Sequence, residues 1–286
     1  MNPMSEQEPK PNIRDYQSFS SLSTFVGCGM QYYYRYVEGI KTPPSVAIIE
    51  GSAGHKGQEK NFVQKVETHI DLPVDVVLDV VSDTFEQRSA DVETWETPKG
   101  SAKDEIIKLM RFVHTNHNPK IQPVECEAEH IIEIPNPESG VPVKMKSYID
   151  LVDTTQTIRD SKFTKKAKSQ GDADNDMQLT IYSYVKSLPK VAFDCFIKGD
   201  KPRVATIPSV RGIRQWNWLE RAVPKYIKAI ESGVFMPCDP AHWRCSERFC
   251  GYWLRCPHGG ANTNKVTIDQ APANLLAPET EISDLL

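Results

Sequence analysis

The spacing of apolar residues changes near residue 123, and the change divides the chain into a helix-forming half and a sheet-forming half. Before it, apolar positions recur every three or four residues, which predicts helices over 18–36, 49–66, 74–88 and 101–117. Leu22, Phe25 and Met30 mark one face of the first, with Ser20 or Ser21 as its N-cap. Pro43 and Pro44 separate it from the second, which carries His55 and Glu59. Beyond residue 123 the period becomes two. Runs over 124–134 and 141–152 alternate, and Pro135-Asn136-Pro137-Glu138-Ser139-Gly140 between them predicts a hairpin turn. A short strand over 157–163 follows a polar turn. A polar loop over 169–176 leads to a helix over 177–188. Strands over 191–197 and 203–207 precede a last helix over 215–232, interrupted or started by Pro224. No internal repeat is present.

The chemistry concentrates around the strand over 157–163. Alternate side chains of a strand share a face, so Asp160 and Lys162 point one way and Ser161 the other. Asp150 ends the preceding strand. Two acids and a lysine so placed can hold a divalent metal and polarise a phosphate. Taken singly these residues are weak signals, since D-x-K arises often by chance and an acid at a strand end is usually a solvated turn residue. Gln178 and Tyr182 lie one turn apart on the next helix. Lys165, Lys166 and Lys168 form a basic cluster just past the strand, and Glu127 and Glu129 are further acids on the strand before Asp150.

At 286 residues the chain can bury a substantial core. Its net charge of −4 supplies no global basic field, so any DNA-binding surface must be local. No apolar run reaches the roughly 18 residues of a membrane span, and the polar first twenty residues lack a secretion signal. A cytoplasmic protein is expected, and there disulfides are rare. The seven cysteines therefore point elsewhere. Three of them, Cys245, Cys250 and Cys256, cluster near the C-terminus, while Cys126 and Cys195 fall inside strands and read as core. There is no phosphate-binding P-loop motif in the sequence, so a nuclease without a helicase motor is expected.

In order, these motifs resemble the PD-(D/E)XK nuclease superfamily, in the RecB-type branch that includes phage exonucleases and the CRISPR-associated adaptation nuclease. The likeness begins with Ser20-Ser21-Leu22-Ser23-Thr24-Phe25, Cys28 and Tyr32-Tyr33-Tyr34. It continues through Gly51 with His55 and Glu59, Tyr148-Ile149-Asp150, Asp160-Ser161-Lys162, and Gln178 with Tyr182. The C-terminal cysteines close it, so that it spans about 18–256. The resemblance implies an α/β, restriction-endonuclease-like core: a central mixed sheet flanked by helices, an N-terminal helical region and a Cys-rich segment over 238–256. One domain over 18–260 is expected, with a helical insertion over about 70–120, a flexible lead-in over 1–17 and a disordered tail over 261–286.

The resemblance also implies roles. His55, Asp150, Asp160 and the Ser161 carbonyl would hold the metal. Oxygen ligands suit Mg2+ or Mn2+, and an imidazole tilts the choice toward Mn2+. Lys162 would orient or help deprotonate the attacking water, Gln178 and Tyr182 would contact DNA or hold Lys162, and Lys165, Lys166 and Lys168 would meet backbone phosphates. Cys28 with Cys245, Cys250 and Cys256 would ligate a structural iron–sulfur (4Fe-4S) cluster. The alternative is a structural Zn2+ site drawing on Cys238, His242 or His258. The tyrosine run is expected to pack in the helix rather than stack on bases. The function implied is a stand-alone, metal-dependent DNA nuclease, an exonuclease of phage or prophage kind. It would act in DNA recombination, repair or end processing, with a single-strand annealing protein as an implied partner. Two other readings remain: a DNA-binding or assembly module of the same fold without cleavage, and a zinc-stabilised regulator. Oligomeric state stays open.

Overall fold

Five strands form one sheet in chain order: β1 (Pro123–Ile134), β2 (Val143–Asp153), β3 (Ile158–Thr164), β4 (Lys190–Ile197) and β5 (Arg203–Val210). The computed structural model describes residues 15–260, in two compact units that divide after Met236. Among these five strands, only β3 and β4 pair in parallel. A parallel pair needs a crossover, and the helices α6 (Gln170–Asp174) and α7 (Met177–Lys186) supply it. β4 is apolar along nearly its whole length because it is covered on both faces.

One face of the sheet carries α3 (Val46–Thr68), α4 (Val74–Ser89) and α5 (Lys99–Asn116), packed through Ile49, Val77, Phe85, Ile106 and Leu109 onto Phe196. The other carries α1 (Phe19–Gly27), α7 and α8 (Ile213–Glu231), packed through Leu22, Leu179 and Leu219 onto Ile149, Ile158 and Phe193. This is the expected α/β architecture, a mixed sheet between helical layers. No helix among the described residues is long and apolar enough to cross a membrane.

Close approach of α3 to the sheet, and to α4, depends on glycine. A Cβ on Gly54 would fall 2.3 Å from the Phe163 ring, and one on Gly57 would fall 2.5 Å from Val81. Gly54→Ala is therefore expected to cost about 1–3 kcal/mol of stability through overpacking and to lower activity by displacing the adjoining His55. Urea unfolding and cleavage rates test this, and an unchanged midpoint and rate would show that the approach is dispensable.

Several boundaries differ from the sequence reading. The helix expected over 18–36 is broken at Cys28, whose backbone is extended (φ −168°, ψ 110°). The chain resumes as α2 (Gly29–Tyr32) and a π-helical turn, Tyr33–Val37. The break brings Gly29 against the backbone of Met236, with its N–H donating to the Met236 carbonyl at 2.7 Å. The N-cap is Ser18, in a reciprocal capping box with Ser21. The loop over 169–176 holds α6, opened by another such box between Ser169 and Asp172. Pro224 neither interrupts nor starts α8 but lies buried within it. Tyr32 and Tyr34 are buried, and Tyr32 packs edge-on against Phe25, so the tyrosine run is packing.

Of the expected lead-in, residues 1–14 lie outside the described residues, as does the expected tail over 261–286. Gln17, however, is buried and joined to the sheet. Its N–H donates to Lys144 O and its carbonyl accepts from Lys146 N, both at 2.8 Å, on the edge of β2 that β3 leaves unpaired. The described part of the second unit, residues 237–260, is built from turns. It buries Cys250, Tyr252 and Cys256, and packs Trp243 edge-on against Phe249.

Candidate metal centre

β2 and β3 pair only at Leu151↔Arg159 and Val152↔Ile158, and then separate. Asp150 fills the gap, its Oδ2 accepting the Ser161 N–H at 2.9 Å. On the other side of β2, Cys126 pairs with Leu151 and Ala128 with Ile149, which places Glu127 opposite Asp150. Glu127 has a left-handed backbone (φ 49°), an uncommon conformation for a non-glycine residue. From α3, His55 Nδ1 lies 3.4 Å from Asp150 Oδ2, and its ring stands edge-on to Phe163. Ligand atoms of His55, Glu127 and Asp150 all lie within 4.8 Å of one another, the one such group among the described residues.

Two carboxylates directly across a strand pair repel each other. Burial, reinforced by the Asp150 and Glu59 charges, pushes the Glu127 carboxyl up to about 8. A cluster that suppresses its own ionisation is one that a cation would relieve. Two carboxylates and an imidazole suit Mn2+ or Mg2+. The residues present therefore fit a divalent metal.

Asp160 and Lys162 share the opposite face of β3, as strand alternation requires. Their carboxylate and ammonium form an ion pair at 2.6 Å. Burial, and then the Asp150 charge, push Asp160 up to about 7 even though Lys162 opposes this. Burial pulls Lys162 down, but Asp160, Asp150 and Asp176 outweigh it and hold the ammonium above its ordinary value. Lys162 Nζ donates to Gln178 Oε1 at 2.9 Å, and Gln178 Nε2 donates to Tyr182 Oη at 2.8 Å. Burial raises the Tyr182 phenol as well. The helix α7 thus fixes Lys162 through two residues one turn apart.

The structure accordingly gathers the sequence-derived residues into two adjoining sets. His55, Asp150 and the Ser161 backbone meet on one side, with Glu127 added. Asp160, Lys162, Gln178 and Tyr182 meet on the other, and the Asp160 carboxylate is not among the three convergent ligands. Lys165, Lys166 and Lys168 are exposed on the segment after β3. Glu129, the other acid of that strand, is spent on Lys146 at 2.8 Å and on the Tyr148 hydroxyl.

Sequence patterns gave no sign of the network behind β3. Arg159 Nε meets Asp153 at 2.7 Å and its Nη1 meets Asp194 at 3.1 Å, while His117 Nε2 stands 3.4 Å from Asp194. Burial would raise Asp194, but His117 and Arg159 outweigh it and hold the carboxyl below its ordinary value. This network ties β3 to β4 and to the end of α5. Within the first unit Cys28 and Cys195 are buried and Cys126 is half-buried. Within the second, Cys250 and Cys256 are buried and Cys245 is half-buried, its Sγ 3.8 Å from the His258 carbonyl.

A sheet splayed at an acid, with an acid-x-lysine strand beside it, defines a nuclease fold of the restriction-endonuclease-like class. The family model of the PD-(D/E)XK nuclease superfamily matches residues 16–257, and the chain belongs to that superfamily. Among solved structures it is similar to a presumptive exonuclease from Eubacterium rectale, at 14% identity and a TM-score of 0.53. That likeness covers 81% of this chain and 87% of the other, and at such identity it is a likeness of fold. SSO0001 matches more loosely, at 17% identity and a TM-score of 0.37 over 72% of this chain and 84% of that one. No functionally curated protein matches.

Proposed function

We propose that the protein is a divalent-metal-dependent deoxyribonuclease that hydrolyses phosphodiester bonds. The observation that carries this reading is the convergence of His55, Glu127 and Asp150 in the gap between β2 and β3, beside the Lys162 ammonium. His55 and Asp150, with Glu127, would hold Mn2+ or Mg2+, and Asp160 and the Ser161 carbonyl would be further ligands. A bound divalent metal supplies Lewis acidity at the phosphoryl group and a more acidic water. The Ser161 N–H fixes the Asp150 carboxylate. Lys162, held protonated by its acidic neighbours, serves as a charge that offsets the developing phosphorane rather than as a base. Gln178 and Tyr182 set the position of its ammonium. Lys165, Lys166 and Lys168 offer sequence-independent phosphate contacts.

An exonuclease, of phage or prophage type and acting in recombination, repair or end processing, is the more specific proposal; the neighbour of like fold from E. rectale is described as an exonuclease, and the setting rests on the family resemblance alone. The deciding experiment is cleavage of end-labelled single- and double-stranded DNA in Mg2+, in Mn2+ and in chelator. Metal-dependent release of short end products is expected, and internal cuts would replace exonuclease by endonuclease. DNA binding without cleavage in either metal would overturn the enzymatic reading in favour of a binding module. The iron–sulfur role of Cys28, Cys245, Cys250 and Cys256 is a separate proposal. Iron and sulfide analysis of anaerobically purified protein tests it, and zinc in their place would refute it.

A further inference from the structure

The exposed face of α8 is a single stripe. Leu219, Val223, Ile227 and Ile230 are buried, and Arg214, Trp218, Arg221, Lys225 and Lys228, spaced four, three, four and three residues apart, face solvent. No acid interrupts it between Arg214 and Lys228; the exposed Glu231, three residues on, ends it, and the nearby Glu220 is held by the Tyr184 hydroxyl at 2.8 Å. Glu138 takes Lys228 at 2.8 Å and also feels Lys225. Arg214 and Lys225 make no hydrogen bond or ion pair among the described residues. Arg221 spends only its Nε, on the Asn217 carbonyl of its own helix. Trp218 is 45% exposed in the middle of these cations. So large an aromatic gains nothing from solvent, and a chain of net charge −4 has no general excess of cations to place there.

Two hollows line up along the stripe. One, of about 380 Å³, is walled by Met177 and Thr180 of α7, by Asp174, and by Arg214 and Trp218. The other, of about 490 Å³, continues past Trp218 to Arg221, Lys225 and Tyr226. Met177 precedes Gln178, the residue that holds Lys162, so one helix, α7, carries both a wall of the first hollow and the partner of the candidate site's lysine. From Arg214 to Lys225 the helix rises about 16 Å, the reach of a few nucleotides.

We propose that the Arg214–Trp218–Arg221–Lys225 stripe is a single-stranded DNA track. The cations meet successive phosphates and Trp218 stacks on one base. A duplex offers no free base face along its length, so the tryptophan selects unpaired strand. The assignment rests on the deoxyribonuclease reading and extends it to the form of the substrate.

Binding of labelled oligothymidylate to the full chain, in chelator, tests it by anisotropy. Arg221→Glu with Lys225→Glu should weaken binding at least about tenfold and reduce the log–log salt slope by about 1.4, at roughly 0.7 per phosphate lost. Trp218→Ala should weaken it about tenfold and leave a blunt duplex unaffected. Unchanged oligonucleotide binding in both variants overturns the track. So does an equal loss for duplex in Trp218→Ala, or a loss confined to anionic vesicles. Wild-type protein that binds the oligonucleotide but does not cut it in Mn2+ would instead sink the nuclease reading while leaving the track in place.

Discussion

Asp150→Asn is expected to lower DNA cleavage by at least about a thousandfold, on the order of 4 kcal/mol in the barrier, while raising the thermal midpoint of the metal-free protein. The two effects have one cause. Asp150 faces Glu127 across the strand pair and lies near Asp160, and its charge raises both of their pKa values. Asparagine keeps an oxygen to accept the Ser161 N–H, so the splayed strands stay where they are while the charge is lost. Without metal that relieves a repulsion. With metal it removes a ligand. Glu127→Gln should behave the same way, because its carboxylate converges on the same point. Glu129→Gln should leave the rate unchanged, because Lys146 and Tyr148 already engage that acid away from the centre. Initial rates in Mn2+ and melting in chelator read both effects. An Asp150→Asn enzyme within tenfold of wild type would remove Asp150 from the machinery.

Local features of the site were legible in the sequence, and those set by contacts between distant elements were not. Asp160 and Lys162 share a face because strand alternation demands it, and the 2.6 Å ion pair follows. Gln178 and Tyr182 meet because they are one turn apart, and their 2.8 Å hydrogen bond follows. In the sequence Glu127 and Glu129, two residues apart, are equivalent. Only the β1–β2 register and the positive φ at Glu127 separate a residue opposite Asp150 from one paired with Lys146, and neither can be read from alternation. The break at Cys28 likewise depends on Met236, more than two hundred positions along, whose backbone approaches Gly29. The α8 stripe is the opposite case. Arg214, Trp218, Arg221 and Lys225 follow helical spacing in plain view, but only burial shows that this face, rather than the one with Leu219 and Val223, is left to solvent.

In the metal-free protein, stability is expected to fall as pH rises from about 4.5 to about 8, and divalent metal is expected to flatten that slope by displacing protons. Glu127 ordinarily ionises near 4.5 and is raised to about 8 in the fold, and Asp160 ordinarily ionises near 3.8 and is raised to about 7. Across this window the folded state holds protons that the unfolded chain has released, so stability must decline as pH climbs through the folded values. The lowered carboxylates Asp153 and Asp194 do not counter this. Their stabilisation is already complete above their ordinary value near 3.8, and is lost only in more acid solution. For Glu127 alone the decline is on the order of 2 kcal/mol, after halving the full linkage value because the group is partly exposed. A metal needs ionised carboxylates and competes with these protons. Roughly one proton should therefore leave per metal bound near pH 6.5, and almost none at pH 9. Calorimetric Mn2+ titrations in buffers of different ionisation enthalpy count these protons directly, and Glu127→Gln should lower the count. Metal binding without proton release at pH 6.5, or metal-free stability that rises between pH 5 and 8, would show that the acids opposite and beside Asp150 are already ionised.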